Sequence, residues 1–304
     1  MKIAAIGECM VEFAPNGHKA WQMGFAGDTF NTLWTLRGLL SDDVLTDYVS
    51  AFGDDEFSRQ QLAFFSSHDI GTADSPHFQG GRPGLYAITL IGAERSFTYW
   101  RNESVARRLA DNPDSLARSL NGCDLIYFSG ISLAILSEKA RQTLLTTIHI
   151  ARQDGSCVAF DPNYRQRLWS EPAIAAQVIT EAEKLADIVL PTFDDEHQLF
   201  GDVNPQATVH RLQALKAREC IVKNGSKPAL LSAAGKIYEI PANSSAIAVD
   251  TSGAGDAFNG AYLAARLKDI EPVAAVEFAH RIASLAIGVH GALTPMKLLK
   301  DALG

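Results

Sequence analysis

The sequence predicts an α/β fold in which a doubly wound, mostly parallel β-sheet is flanked by helices and carries a small β-sheet lid. Three observations predict it. Short apolar runs that end at a glycine or a polar turn alternate with longer stretches of helical period. Two segments break that alternation with strand–turn–strand patterning, and near the carboxyl end a glycine-rich turn opens directly into an apolar helix.

Taken in order, Lys2–Gly7 (KIAAIG) reads as a buried strand closed by glycine. Asp124–Ser129, Cys157–Asp161, Asp187–Leu190 and Cys220–Val222 repeat the pattern. Between them, Ser137–Gln153 is a helix that Ser137 can cap and Asp154-Gly155 can end, and Glu171–Ala186 is another. A third, Pro272–Val289, is amphipathic and is expected to pack on the sheet, with His280 and Arg281 structural or solvent-facing. Val11–Phe25 is strand material turning at Pro15-Asn16-Gly17. Gly80–Arg101 reads as a hairpin with arms Leu85–Ile91 and Ser96–Arg101 and the turn Gly92-Ala93-Glu94-Arg95. The two segments form either a lid sheet over the edge of the main sheet or a pair of exposed loops. The organisation is one α/β domain over 1–304 with the lid inserted at about 11–25 and 76–102.

Composition narrows the function. The chain has 304 residues, 27 Lys+Arg against 35 Asp+Glu for a net charge of −8, and 47% hydrophobic residues, which excludes a disordered tail and a nucleic-acid binder working by bulk basic charge. Cys9, Cys123, Cys157 and Cys220 include no CxxC, the pattern of free thiols in a reducing compartment rather than a disulfide or zinc framework. The first apolar stretch is broken by Gly7-Glu8, too short for a signal peptide, and no run approaches a membrane span, so a cytoplasmic protein is expected.

The chemistry concentrates in Val249–Ala265 (VDTSGAGDAFNGAYLAA), where the strand-like run AIAV (246–249) leads into a glycine turn and an apolar helix. Glycines let the backbone approach a ligand, and the first helical amides then face an anion. A phosphoryl group in transfer needs such donors where its charge spreads. Asp256 in the first turn is either an acidic residue in an ordinary helix N-terminus or a carboxylate that accepts the proton of an attacking hydroxyl. A pKa near 4, lowered by the helix end, is expected for it. No GxxxxGK[ST] occurs, and Gly80–Gly84 lacks GxGxxG spacing, against a P-loop and a dinucleotide-binding oxidoreductase.

At these residues the chain resembles a known family. DTSGAGDAFNGAYLA (250–264) is similar to the C-terminal signature of the ribokinase-like carbohydrate kinases, the phosphofructokinase-B family, and the resemblance runs from Ile3 to Leu293. Ala26–Asn31 resembles the family's glycine–Asn substrate segment. Phe160–Arg165 with Leu168-Trp169, Tyr99–Arg101 and Val222–Pro228 resemble the versions found in 2-keto-3-deoxygluconate kinases.

The resemblance implies Asp256 as catalytic base and Gly253, Ala254 and Gly255 as anion hole. It implies Gly27, Asp28 and Asn31 on sugar hydroxyls, and Tyr86, Tyr99 and Arg101 reaching from the lid. Arg165 would approach the substrate carboxylate and the nucleotide phosphates with Asn163 beside it, and Lys223, Asn224, Gly225 and Ser226 would lie along ATP. Asp250 and Thr251 resemble the monovalent-cation (K+) loop of many members. One departure matters: where many members have Pro-Asn-x-x-Glu, linked to Mg2+, this chain has Thr192 for the asparagine and Asp195 for the glutamate, with Glu196 adjacent. Either carboxylate could organise Mg2+, mainly through water.

A net charge of −8 repels ATP and an anionic sugar, so local cations are required; Arg101 and Arg165 are the candidates, since a guanidinium pairs two-pronged with a carboxylate. The function expected is ATP-dependent phosphorylation of 2-keto-3-deoxy-D-gluconate at its terminal hydroxyl. The alternatives are a fructokinase or other sugar kinase of the family, and a non-enzymatic sugar sensor on the same scaffold. A homodimer pairing through lid strands is expected because exposed edge strands need a cover.

Overall fold

In the computed structural model, which describes residues 1–15, 20–91, 94–242 and 248–303, the strands in chain order are β1 (Lys2–Ile6), β2 (Met10–Pro15), β3 (Trp21–Ala26), β4 (Leu45–Val49), β5 (Ile70–Gly71), β6 (Leu85–Ile91), β7 (Glu94–Trp100), β8 (Leu125–Ser129), β9 (Cys157–Asp161), β10 (Ile188–Val189), β11 (Glu219–Val222), β12 (Ala229–Ala233) and β13 (Lys236–Ile240). Nine of them form one sheet in the order β13-β12-β11-β10-β9-β8-β1-β4-β5. It is parallel from β11 to β5, with β12 and β13 added antiparallel.

The strands read as unbroken apolar runs because helices cover both faces. Alternate residues feed two separate cores. Ile3 and Ala5 join the core that includes Phe30, Ala261 and Ile282 from the helices Asp28–Leu39, Ala254–Leu267 and Pro272–Ile287. Ala4 and Ile6 join the one with Leu144 and Ile179 from Glu138–Gln153 and Pro172–Leu185. Ser137 caps the helix after it by accepting from the Ala140 amide, and Gly155 follows its end at φ +110. Among the described residues no helix is long and apolar enough to cross a membrane.

From β1 the chain winds outward to β4 and β5; from β8 it winds the other way through β9, β10 and β11. The direction reverses between β1 and β8, and the crevice beyond their carboxyl ends is where a ligand is expected in such a sheet. The second sheet, ordered β3-β2-β6-β7, is built from the two segments that broke the alternation. Its hairpin pairs Tyr86 with Tyr99, so both side chains stand on one face.

The structure adjusts two sequence expectations. The second hairpin arm starts at Glu94 rather than Ser96, and Gly92-Ala93, like Asn16-Gly17 of the first turn, lies outside the described residues. Ala246-Ile247 also lies outside them. The described end of that run is not a strand: the amides of Val249 and Asp250 donate to the Ile287 carbonyl at the end of a helix, which leaves them no strand partner.

Candidate active site

The floor of the crevice is the start of the helix Ala254–Leu267. Gly253 precedes it at φ +72, and a Cβ there would meet the Ala292 carbonyl oxygen at 2.5 Å, so only glycine fits this entry. The first amides of the helix have no acceptor within it and meet the positive helix end. The helix Asp28–Leu39 starts beside it, after Gly27, where a Cβ would lie 2.1 Å from the Glu8 carbonyl oxygen. Asn31 ties the two starts together: its Oδ1 accepts from the Gly27 amide (3.3 Å) and its Nδ2 donates to Asp256 Oδ2 (2.8 Å).

Behind Asp256 the polar groups form one connected set. Asp161 Oδ2 accepts from Lys223 Nζ (2.8 Å) and from Asn259 Nδ2 (2.6 Å), and Lys223 also donates to Asn259 Oδ1 (3.0 Å). Asn259 and Thr32 both donate to the Tyr127 hydroxyl, and Thr32 to the Asp256 carbonyl, depending on where its single hydroxyl proton turns. Asn163 donates its amide N–H to Asp161 Oδ1 (3.0 Å) and its Nδ2 to Asp28 Oδ2 (2.7 Å). Burial and the facing Asp28 carboxylate push Asp256 up to about 7, against the hydrogen bond from Asn31 and the Lys223 ammonium. This corrects the expected value near 4. The helix end is outweighed by desolvation and by Asp28 and Asp161, acidic residues brought in from two other elements.

Of these groups Asp28, Asn31, Asp161, Asn163, Lys223 and Asp256 line a cavity of about 360 Å³, together with Gly27, Arg165 and Gly255. Residues of the second sheet line it too. Tyr86 donates its hydroxyl to Glu12, the Tyr86 and Tyr99 rings lie 5.6 Å apart, and the Arg167 guanidinium lies 4.2 Å from the centre of the Tyr99 ring. A larger depression of about 830 Å³ sits at the opposite, amino ends of β8 and β9, between Pro113–Leu120 and Glu138–Gln153, away from this cluster of carboxylates.

Other sequence candidates fall in different surroundings. Arg101 lines the cavity, but it is buried in an ion pair with Glu8, so its charge is already matched. Arg165 pairs with Asp195 (3.2 Å) and donates to the Tyr164 carbonyl (2.8 Å). Lys223 also lines the cavity, yet its ammonium is spent on Asp161 and Asn259 rather than extended along a nucleotide. Asn224, Gly225 and Ser226 form a turn after β11, outside that lining. Thr251 lines the cavity, while Asp250 is buried and accepts from the backbone amides of Ser252 (2.9 Å) and Gly291 (2.7 Å). Glu196 is a correction: it points away from the crevice into a buried ion-pair cluster with Arg211, which also holds Glu183 (3.0 Å) and Asp202 (3.3 Å). Neighbours on a helix point about 100° apart, so Asp195 and Glu196 cannot serve the same site.

The sequence reading passed over Glu8, Glu12, Asn259 and Arg167 and gave Asp161 no role. Two of them carried a signal. Glu8 directly follows the first strand, and Asn259 lies three residues after Asp256, on the same helical face, in an otherwise apolar stretch.

Comparison with known proteins covers nearly the whole chain. The sequence model described as pfkB family carbohydrate kinase matches residues 1–298. A 2-dehydro-3-deoxygluconokinase of Escherichia coli (strain K12) is 37% identical over 305 residues, covering 98% of each chain. The protein of that name from Dickeya dadantii is 36% identical over 304 residues, again 98% of each. Among solved structures, the aminoimidazole riboside kinase of Salmonella enterica superposes with a TM-score of 0.83 over 100% of both chains at 23% identity, a likeness of fold. With its two-sheet architecture, its glycine-led helix start and a family match from the first residue to 298, the chain belongs to the pfkB family of carbohydrate kinases.

Proposed function

We propose that the protein transfers the γ-phosphate of ATP to the terminal hydroxyl of 2-keto-3-deoxy-D-gluconate, giving the 6-phosphate. The observation that carries the reading is the Asp256 carboxylate, held by Asn31 at the cavity floor in the first turn of the helix that Gly253–Gly255 opens. Support for the sugar acid comes from the 36–37% identical relatives, which share the name 2-dehydro-3-deoxygluconokinase; the fructokinase alternative draws no such support.

In this reading Gly27, Asp28 and Asn31 hold sugar hydroxyls, and Tyr86, Tyr99 and Arg101 close over them from the small sheet, which acts as a lid and excludes water. Asp256 accepts the hydroxyl proton, and the amides at Gly253–Gly255 receive the charge that spreads over the transferring group. Preorganised positioning does most of the work. Arg165, Asn163 and the Lys223–Ser226 segment flank the phosphate chain. The donor set suits a hard divalent ion: Asp195 stands at the crevice beside Arg165, so Mg2+ bound to the nucleotide would be organised there through water and would neutralise phosphate charge. A K+ at the Asp250–Thr251 loop belongs to the same reading. Four cysteines without disulfides suit a reducing cytoplasm.

A coupled ADP-release assay over 2-keto-3-deoxygluconate, gluconate, fructose and ribose tests the substrate. Turnover is expected to be at least tenfold more efficient on the keto-deoxy acid. A preference for fructose or ribose would refute the sugar-acid reading, and ligand binding without turnover would point to the sensor.

The lid also bears on assembly. β3 and β7 are the edges of the small sheet, and Trp21 and Trp100 on them are 50% and 59% exposed. A second copy covering this sheet gives a homodimer. Light scattering at micromolar concentration is expected to read twice the mass of one chain, and Trp21→Glu with Trp100→Glu to shift it toward the monomer. A monomer in the unaltered protein removes the dimer.

A further inference from the structure

Pairing off the basic side chains of the cavity leaves one without an acidic partner. The lining holds four basic side chains, Arg101, Arg165, Arg167 and Lys223. Glu8 takes Arg101, Asp195 takes Arg165 at 3.2 Å, and Asp161 takes Lys223 at 2.8 Å. Among the described residues Arg167 makes no hydrogen bond or ion pair; its contact is with the face of Tyr99. We propose that Arg167 is the residue that selects the carboxylate of the substrate, presented to the cavity on the Tyr99 ring. The inference rests on the sugar-acid reading and assigns the acid end of the molecule to a different arginine from the two the sequence suggested.

Three physical points support it. A guanidinium lying over an aromatic face keeps the N–H fork in its own plane free, and that fork matches a carboxylate two-pronged. The aromatic surface also limits the rotamer entropy lost when the ligand is gripped. Next, the alternatives are worse placed. Arg101 already has its charge offset by the buried Glu8, so a second carboxylate on it would set two negative charges against one cation. Arg165 has its charge offset by Asp195, and the same Nη1 also donates to the Tyr164 carbonyl. Lastly, position matters. Arg167 lies in the short 3-10 turn Gln166–Leu168 that follows β9, whereas Tyr99 belongs to β7 of the small sheet. Their contact therefore spans the crevice from the main body to the small sheet. A carboxylate bound at this contact adds its attraction to the closed arrangement and to no other, so an acid would favour closure where a neutral sugar would not.

The test compares 2-keto-3-deoxygluconate with its methyl ester in the unaltered enzyme, in Arg167→Met and in Arg167→Lys. For Arg167→Met the acid-to-ester ratio of kcat/KM is expected to fall about 10- to 100-fold, as for loss of a charged hydrogen bond, mostly through a higher KM for the acid. The KM for ATP should stay within about twofold, and Arg167→Lys should restore part of the ratio by keeping a point charge without the fork. Arg167 is exposed, so folding should survive, which a melting curve checks. An unchanged ratio in Arg167→Met, or an equal loss on acid and ester, overturns the assignment while leaving the sugar-acid reading standing. An unaltered enzyme that uses the ester as well as the acid overturns that reading and the assignment with it.

Discussion

Asp256→Asn is expected to lower kcat by about 10²- to 10⁴-fold, the usual worth of a positioned proton acceptor, while the KM for sugar changes only a few-fold. Asparagine is the informative replacement because its amide oxygen can still accept from Asn31 Nδ2, which in the native chain lies 2.8 Å from the carboxylate, so the floor of the cavity keeps its shape. What disappears is the negative charge that receives the hydroxyl proton. The same carboxylate sets a pH dependence. With burial and Asp28 pushing it up to about 7, it is largely protonated at pH 6 and largely ionised at pH 8. Because the base works only when ionised, kcat/KM should rise about tenfold per pH unit below 7 and flatten above it. Removing the facing charge with Asp28→Asn should move that limb to lower pH. A stopped-flow or coupled assay between pH 5 and 9 reads all of this. A limb near pH 4 would mean that the carboxylate is ordinary, and Asp256→Asn retaining a tenth of the native kcat would mean that it is not the base.

How much of this was legible in the sequence differs by level. β1, β8 and β9 stood out because both faces of the sheet are covered, so the positions inside the ends of KIAAI, LIYFS and CVAFD are small, apolar or aromatic. The glycine-led helix start was legible for a steric reason, since the Ala292 carbonyl leaves no room for a side chain at Gly253. By contrast β13 (KIYEI) is an edge strand, exposed over its first four residues, and β4 (LTDYV) mixes polar and apolar positions; neither has the composition of a buried run. The site divides the same way. Asp256 was marked by its place after the glycine turn, and Asn31 and Gly27 by the family resemblance of their segment. What those side chains meet was not, because each partner comes from far along the chain: Glu8 for Arg101 is 93 residues away, and Asp28 for Asn163 is 135. Charge is the least local property of all. The helix-end argument for a low Asp256 pKa was sound physics applied to one element, and it lost to burial and then to carboxylates supplied by two other elements.

The second large effect concerns stability and lies in the cluster that claimed Glu196. Arg211→Met is expected to destabilise the protein by about 3–5 kcal/mol, the cost of breaking a buried ion pair from one side, seen as a fall in Tm of roughly 10 °C. Arg211, from the helix Pro205–Ala214, holds Glu183 of Pro172–Leu185, Glu196 of Phe193–Phe200, and Asp202. Its guanidinium carbon also stacks 3.8 Å from the centre of the Phe200 ring. Methionine keeps the apolar stem on Phe200 but leaves two buried carboxylates without a cation. Burial already pushes Glu183 up to about 7 and Glu196 well above the usual carboxylate range, with Arg211 holding both down. Without it they rise further and take up protons. A carboxylate whose folded pKa is raised favours the folded state at pH values below its unfolded pKa, near 4, and loses that contribution as pH climbs through the folded value. The Tm deficit of Arg211→Met should therefore be larger at pH 8 than at pH 5. Adding Glu183→Gln and Glu196→Gln to the variant should recover most of it, because the charges that needed Arg211 are gone. Melting curves of the three proteins at both pH values decide the matter: a deficit under about 3 °C, or one that pH and the paired glutamines leave untouched, would show that the cluster does not join the three helices electrostatically.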